Sequence, residues 1–171
     1  ESQSGYSHPK KSQFTADQRK REEAPKYLQG SLIAIDNRTG GIRAIVGGRD
    51  YRDSKYNRAL HSRRQIGSSF KPFVYTAAFN TRMLPGASIS DGPIRQGEIR
   101  STQTNWSPSN SDGKFGGNLP ASQGLIRSRN TMTVRVGEFA GIDTVRKFGE
   151  VVGISDTIPR LPSIYLGAFE T

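Results

Sequence analysis

A serine hydroxyl becomes an effective nucleophile when a neighbouring group can take its proton, and a lysine becomes such a group when its surroundings make the ammonium charge costly. Ser68 and Lys71 stand three residues apart, a spacing that puts both side chains on one helix face about one turn from each other. The opening turn of a helix also presents free N–H groups and a positive dipole end, and such an N–H can stabilise the oxyanion of a tetrahedral intermediate. Ser-x-x-Lys at a helix start is therefore a compact acyl-transfer device. The spacing alone is not selective. Ser7 with Lys10 and Ser111 with Lys114 repeat it, the first spanning Pro9 and the second spanning the turn-forming Asp112-Gly113. Ser68 alone of the three opens an apolar helical stretch; its competing role is a plain helix N-cap.

Ser128-Arg129-Asn130 is a second candidate. It falls at a break between two predicted helices, where a hydroxyl and an amide could both point into a cleft. The hydroxyl can relay a proton, and the amide can donate and accept hydrogen bonds. The plainer alternative is a pair of caps for the helix that follows.

The elements that must position these groups follow from local pattern. Phe70, Phe73, Val74, Ala77 and Ala78 recur at i, i+3, i+4, i+7 and i+8, one apolar face of a core helix that begins at Gly67-Ser68. Pro72 lies near the first turn, where its missing N–H costs least. Helices are predicted over 120–128, 131–139 and 142–151, the last led by Asp143 and ended near Gly153. Residues 31–36 and 42–46 read as the strands of a β-hairpin around Asn37-Arg38-Thr39-Gly40-Gly41. Residues 84–119 are rich in Gly, Pro, Ser and Asn and read as loop with short strands. Residues 1–27 read as a linker or disordered lead-in, and residues 28–171 as one folded region. A lone hairpin is marginal in water, so the sheet is expected to need partner strands.

Composition sets the outer bounds. The 171 residues are 33% hydrophobic with a mean hydropathy of −0.63, enough for a modest core. There is no cysteine, so neither a disulfide framework nor a thiolate metal site is possible, and no apolar run is long enough to span a bilayer. The net charge is +10, most of it beyond the lead-in. Such a surface suits an anionic polymer or simple solvation. A nucleic-acid-binding module is the weaker reading, because aromatic stacking motifs and a recognisable basic helix are lacking.

Taken together, Arg64-Gln65-Ile66-Gly67-Ser68-Ser69-Phe70-Lys71-Pro72-Phe73 resembles the nucleophile segment of penicillin-binding proteins. Tyr56-Asn57-Arg58-Ala59, Asn105-Trp106-Ser107-Pro108 and the distance onward to Ser128-Arg129-Asn130 extend the likeness, as does the hairpin with Ile35–Gly41. It runs from about residue 28 to the end and is closest to the bifunctional, class A members. The resemblance implies an α+β, β-lactamase-like transpeptidase fold, present as its hairpin and helical region without the remaining strands. It implies that Ser68 attacks the D-Ala-D-Ala carbonyl of a peptidoglycan stem peptide and that Lys71 is the leading base. It further implies that Ser128 relays the proton to the leaving amine and that Asn130 binds the substrate amide and steadies Lys71. β-Lactams would acylate Ser68. Trp106 would line the cleft or pack in the core. No cofactor or metal is implied.

Two departures stand out. Ile66 occupies a position where the family usually has proline, and no Lys-Thr-Gly triplet occurs in the chain. The resemblance therefore implies a fragment of a membrane-anchored cell-envelope protein on the periplasmic side. The Lys-Thr-Gly strand would lie beyond Thr171 and a glycosyltransferase domain before Glu1. A β-lactamase or penicillin-sensing receptor would share the nucleophile; a class A β-lactamase would also need a deacylating glutamate, for which no placed candidate is evident.

Overall fold

The computed structural model describes residues 7–100, 106–154 and 158–171, which divide between two compact units, residues 1–62 and 63–171. The first unit opens with a 3-10 turn at Lys11–Gln13 and the short helix α1 (Ala16–Lys20), which Thr15 caps by accepting from the Gln18 N–H. The sequence reading of this stretch as disordered lead-in missed a small anchor. Phe14 meets Tyr27 edge-on with ring centroids 5.9 Å apart, and the Tyr27 hydroxyl donates to Asp53 at 2.7 Å. Arg19 pairs with the same buried carboxylate, and Lys11 reaches Asp50 at 2.8 Å. Two aromatics and two ion pairs order a segment whose average composition is that of a tail.

The hairpin is β1 (Leu32–Ile35) and β2 (Ile42–Val46), antiparallel with Leu32 opposite Val46 and a bulge near Ile35. Asp36 organises the turn. Its carboxylate accepts from the Arg38 N–H, its carbonyl accepts from Gly40, and Gly40 takes the positive φ of 70° that the reversal needs. Leu32, Ile35, Ile42 and Val46 are each at least half exposed, as expected of a two-stranded sheet awaiting partners. Helix α2 (Arg58–His61) follows, capped by Asn57.

The second unit is built around α3 (Lys71–Asn80), continuous with a 3-10 turn at Gly67–Phe70. Of its predicted apolar stripe, Phe70, Val74, Ala77 and Ala78 are fully enclosed and Phe73 is half-buried against the same core. They pack against α5 (Asn130–Ala140) and α6 (Ile142–Val151) through Val134, Val136, Ile142 and Val145. Between α3 and α5 the chain forms β3 (Ser88–Ser90) and β4 (Asn118–Pro120), a three-residue antiparallel ladder, and the short helix α4 (Ala121–Ile126). Gly137 lets the Tyr165 ring lie against α5, where a Cβ would come within 2.4 Å of that ring.

The end of the unit returns to its beginning. A 3-10 turn at Pro162–Leu166 leads into residues 167–171, which run antiparallel to residues 64–67. The Gly67 N–H donates to the Gly167 carbonyl at 3.0 Å, the Ile66 N–H to Phe169 at 3.3 Å, and Phe169 stacks edge-on against Phe70 at 4.9 Å. The turn carrying Ser68 is thus fastened from behind. The two backbones touch so closely at Gly167 that a Cβ there would fall 2.1 Å from the Gly67 carbonyl oxygen, and Gly167 also has φ of 68°. Gly167→Ala is expected to destabilise the chain by about 3 kcal/mol or more, because rigid backbone must move. Gly153→Ala has φ of 74° but open space around it, and should cost only about 1 kcal/mol. Chemical denaturation of both variants checks the contrast.

Candidate active site

Lys71 lies at the first position of α3 on the same stripe as Val74, Tyr75 and Ala78, so the helix that builds the core also carries an ammonium into it. The residue is 1% exposed. An ammonium has three N–H donors, and here three acceptors meet it: the Ser128 carbonyl at 2.7 Å, the Ser128 hydroxyl at 3.0 Å and Asn130 Oδ1 at 2.7 Å. Burial, assisted by the positive charge of Arg129, draws the Lys71 ammonium down to about 8. Hydrogen bonding offsets part of the desolvation while leaving the proton easier to remove than in water.

Ser128 reaches Lys71 twice through an unusual backbone. Its φ is +53°, the left-handed region that non-glycine residues seldom enter, and this turns its carbonyl and hydroxyl toward the same ammonium. The flanking turn holds it there: the Ser128 N–H donates to Leu125 and the Arg129 N–H to Gly124, both in the last turn of α4. Asn130 opens α5; its amide Nδ2 donates to the Ser109 carbonyl at 2.9 Å, which orients Oδ1 toward Lys71. Neither Ser128 nor Asn130 caps α5 through its side chain, so the capping alternative does not apply to them.

Ser68 sits in the 3-10 turn one turn before Lys71, and its carbonyl accepts the Lys71 N–H. Ser68 is exposed. Among the described residues its hydroxyl is free of hydrogen bonds, while all three Lys71 protons point to Ser128 and Asn130. The sequence-selected Lys71, Ser128 and Asn130 are therefore in direct contact, with Ser68 adjacent on the lysine's own helical run. Trp106 is half-buried and packs on the core, and Asn105 beside it lies outside the described residues. Sequence reasoning missed Asp91, Asn110 and the side chain of Arg129, which form a buried polar cluster behind Ser128 and Asn130. No clusters of His, Cys, Asp and Glu suited to a metal occur among the described residues.

A buried lysine held by a serine and an asparagine from a neighbouring helix start, with an exposed serine one turn upstream, defines a serine–lysine type of site. Comparison with known proteins agrees. Residues 30–163 match the penicillin binding protein transpeptidase domain family. Penicillin-binding protein 1A of Neisseria flavescens is 39% identical over 145 residues, covering 84% of this chain and 18% of that protein. The Vibrio cholerae counterpart is 39% identical over 139 residues, covering 81% of this chain and 17% of that protein. The crystal structure of penicillin-binding protein 1A from Haemophilus influenzae superposes with a TM-score of 0.75 at 33% identity, over 86% of this chain and 22% of that one. The chain belongs to the penicillin binding protein transpeptidase domain family. It spans less than a fifth of the length of the curated relatives it matches.

The Lys71 environment has a consequence for stability. The folded chain holds this proton with a pKa of about 8, against the ordinary lysine value of 10.5. Between those values the unfolded state binds more protons, so the Lys71 contribution to stability is least favourable below pH 8 and improves as pH climbs through 8 toward 10. The gain should be on the order of 3 kcal/mol. It ends near pH 10, where Tyr75, whose hydroxyl burial pushes up to about 12, begins to act with the opposite sign. Urea unfolding of the chain across this range should show the rise, and Lys71→Met should remove it.

Proposed function

We propose that the protein containing this chain is a D,D-transpeptidase of the bacterial cell envelope that cross-links peptidoglycan stem peptides through an acyl-enzyme on Ser68. The observation that carries this reading is the buried Lys71 ammonium, poised near pH 8 between Ser128 and Asn130 and one turn from an exposed serine.

Lys71, once deprotonated, accepts the proton of Ser68 Oγ as that oxygen attacks the carbonyl of the penultimate D-Ala. The new C–O bond makes a tetrahedral intermediate; its collapse breaks the C–N bond, and the proton passes through the Ser128 hydroxyl to the departing D-Ala amine. Ser128 already accepts from Lys71, so the relay needs no rearrangement beyond rotation of a hydroxyl. Asn130 holds Lys71 through Oδ1, and its amide would bind the substrate amide. An amine from a second stem peptide then attacks the acyl-enzyme by the reverse proton path. β-Lactams acylate Ser68 as mimics of the D-Ala-D-Ala terminus. Catalytic completion by a Lys-Thr-Gly strand from outside residues 1–171, anchorage in the inner membrane with the site on the periplasmic side, and an upstream glycosyltransferase domain belong to the same proposal.

The test is labelling of the full-length protein with a fluorescent penicillin. Stoichiometric, slowly released label that disappears in Ser68→Ala is the expected result, whereas rapid turnover of the β-lactam would point to hydrolysis instead. The acylation rate should climb with pH through about 8 as Lys71 loses its proton, and Lys71→Ala should lower it by at least about 1000-fold. Residues 1–171 produced alone should take up little label.

A further inference from the structure

Behind Ser128 and Asn130 lies a carboxylate that touches neither of them. Asp91 follows β3 and is fully buried. It receives four hydrogen bonds: from Arg129 Nε at 2.8 Å, Asn110 Nδ2 at 2.9 Å, Thr131 Oγ1 at 2.7 Å and the Gly116 N–H at 2.8 Å. Gly116 fits because a Cβ there would stand 3.2 Å from the carboxylate. Burial pushes the Asp91 carboxyl up, but these donors outweigh it and hold the group below its ordinary value, so it is a standing negative charge.

Two routes lead from that charge to the site. On one, Asn110 is oriented by Asp91 and offers Oδ1 to the N–H groups of Asn130 at 2.8 Å and Thr131 at 3.3 Å, the first donors of α5. On the other, Arg129 is clamped by Asp91, by Asp112 at 2.9 Å and by the Lys114 carbonyl. Arg129 is the residue immediately after Ser128, whose φ of +53° would relax if its neighbour were free. Relaxation would carry the Ser128 carbonyl and hydroxyl away from Lys71.

We infer that Asp91 is a positioning residue for acyl transfer: through Arg129 and Asn110 it holds Ser128 in its left-handed turn and Asn130 at the head of α5, so that both meet Lys71. This rests on the acyl-transfer reading of Ser68 and Lys71. Asp91→Asn removes the charge and sets an NH2 group against one of the two donor pairs, Arg129 with Gly116 or Asn110 with Thr131. Arg129→Lys keeps the charge but cannot reach Asp91, Asp112 and the Lys114 carbonyl together.

The experiment measures acylation of the full-length protein by a fluorescent penicillin, separating the rate constant at saturation, the pre-acylation dissociation constant and the final stoichiometry. Misplacement of reacting groups by a fraction of an ångström to an ångström should lower the saturating rate constant by about 100-fold in Asp91→Asn and about 10-fold in Arg129→Lys. The dissociation constant should change less than about threefold and the final stoichiometry should stay near the parent's. A rate constant within about threefold of the parent's in both variants overturns the inference. So does reduced stoichiometry with the remaining fraction reacting at the parental rate, which is the signature of a purely structural part. Where Asp91→Asn yields no folded protein, Arg129→Lys is judged by the same criteria. Absence of label on Ser68 in the unaltered protein defeats the acyl-transfer reading itself, and this inference with it, whereas a labelled parent with indifferent variants defeats the inference alone.

Discussion

The Lys71 ammonium joins two helix starts that lie 57 to 59 residues apart in the chain, and every other feature of the site answers to its presence. A charge with almost no exposed surface is tolerable only if each of its protons finds an acceptor and the remaining cost is accepted as a lowered proton affinity. The first condition is met by one carbonyl, one hydroxyl and one amide oxygen. The second follows from burial and the nearby charge of Arg129, so the contacts that keep the lysine tolerable in the fold work against the forces that lower its proton affinity.

Around this point the second unit divides its labour. An apolar layer of Phe70, Val74, Val134 and Val145 sets the separation of α3, α5 and α6, and with it the reach of Lys71. A polar layer of Asp91, Asn110, Arg129 and Thr131 sets the conformation of the segment it must reach. Packing of the first kind is tolerant of small changes in side-chain shape, whereas the second depends on directional bonds to a buried charge and is costly to break at any single partner.

Much of this was legible in the residues. The apolar period through Phe70, Val74, Ala77 and Ala78 places a rigid helix after Ser68, and three-residue spacing places Lys71 on its inner face. The Ser-x-Asn break between two helical stretches is equally visible, because helix ends are local events. The Asp91 cluster was not. Its members stand 19 to 40 residues from Asp91, and no local rule links an aspartate after a short strand to an arginine before a helix. The ordered turns at Lys11–Lys20 were hidden for a related reason: a few specific contacts made by Phe14, Tyr27 and Asp53 outweigh a composition that reads as solvent-loving.

The back-to-back approach of Gly67 and Gly167 has a bearing on the order of assembly. These residues are a hundred positions apart, among the most distant contacts the unit makes, and loop-closure entropy must be met before their hydrogen bond can form. During synthesis the helix behind Ser68 can gather early, but the backing of its opening turn has to wait until Phe169 has left the ribosome. A chain halted short of that residue would carry Ser68 on an unsupported bend, so the setting of this turn is timed by the far end of the unit rather than by its own neighbourhood.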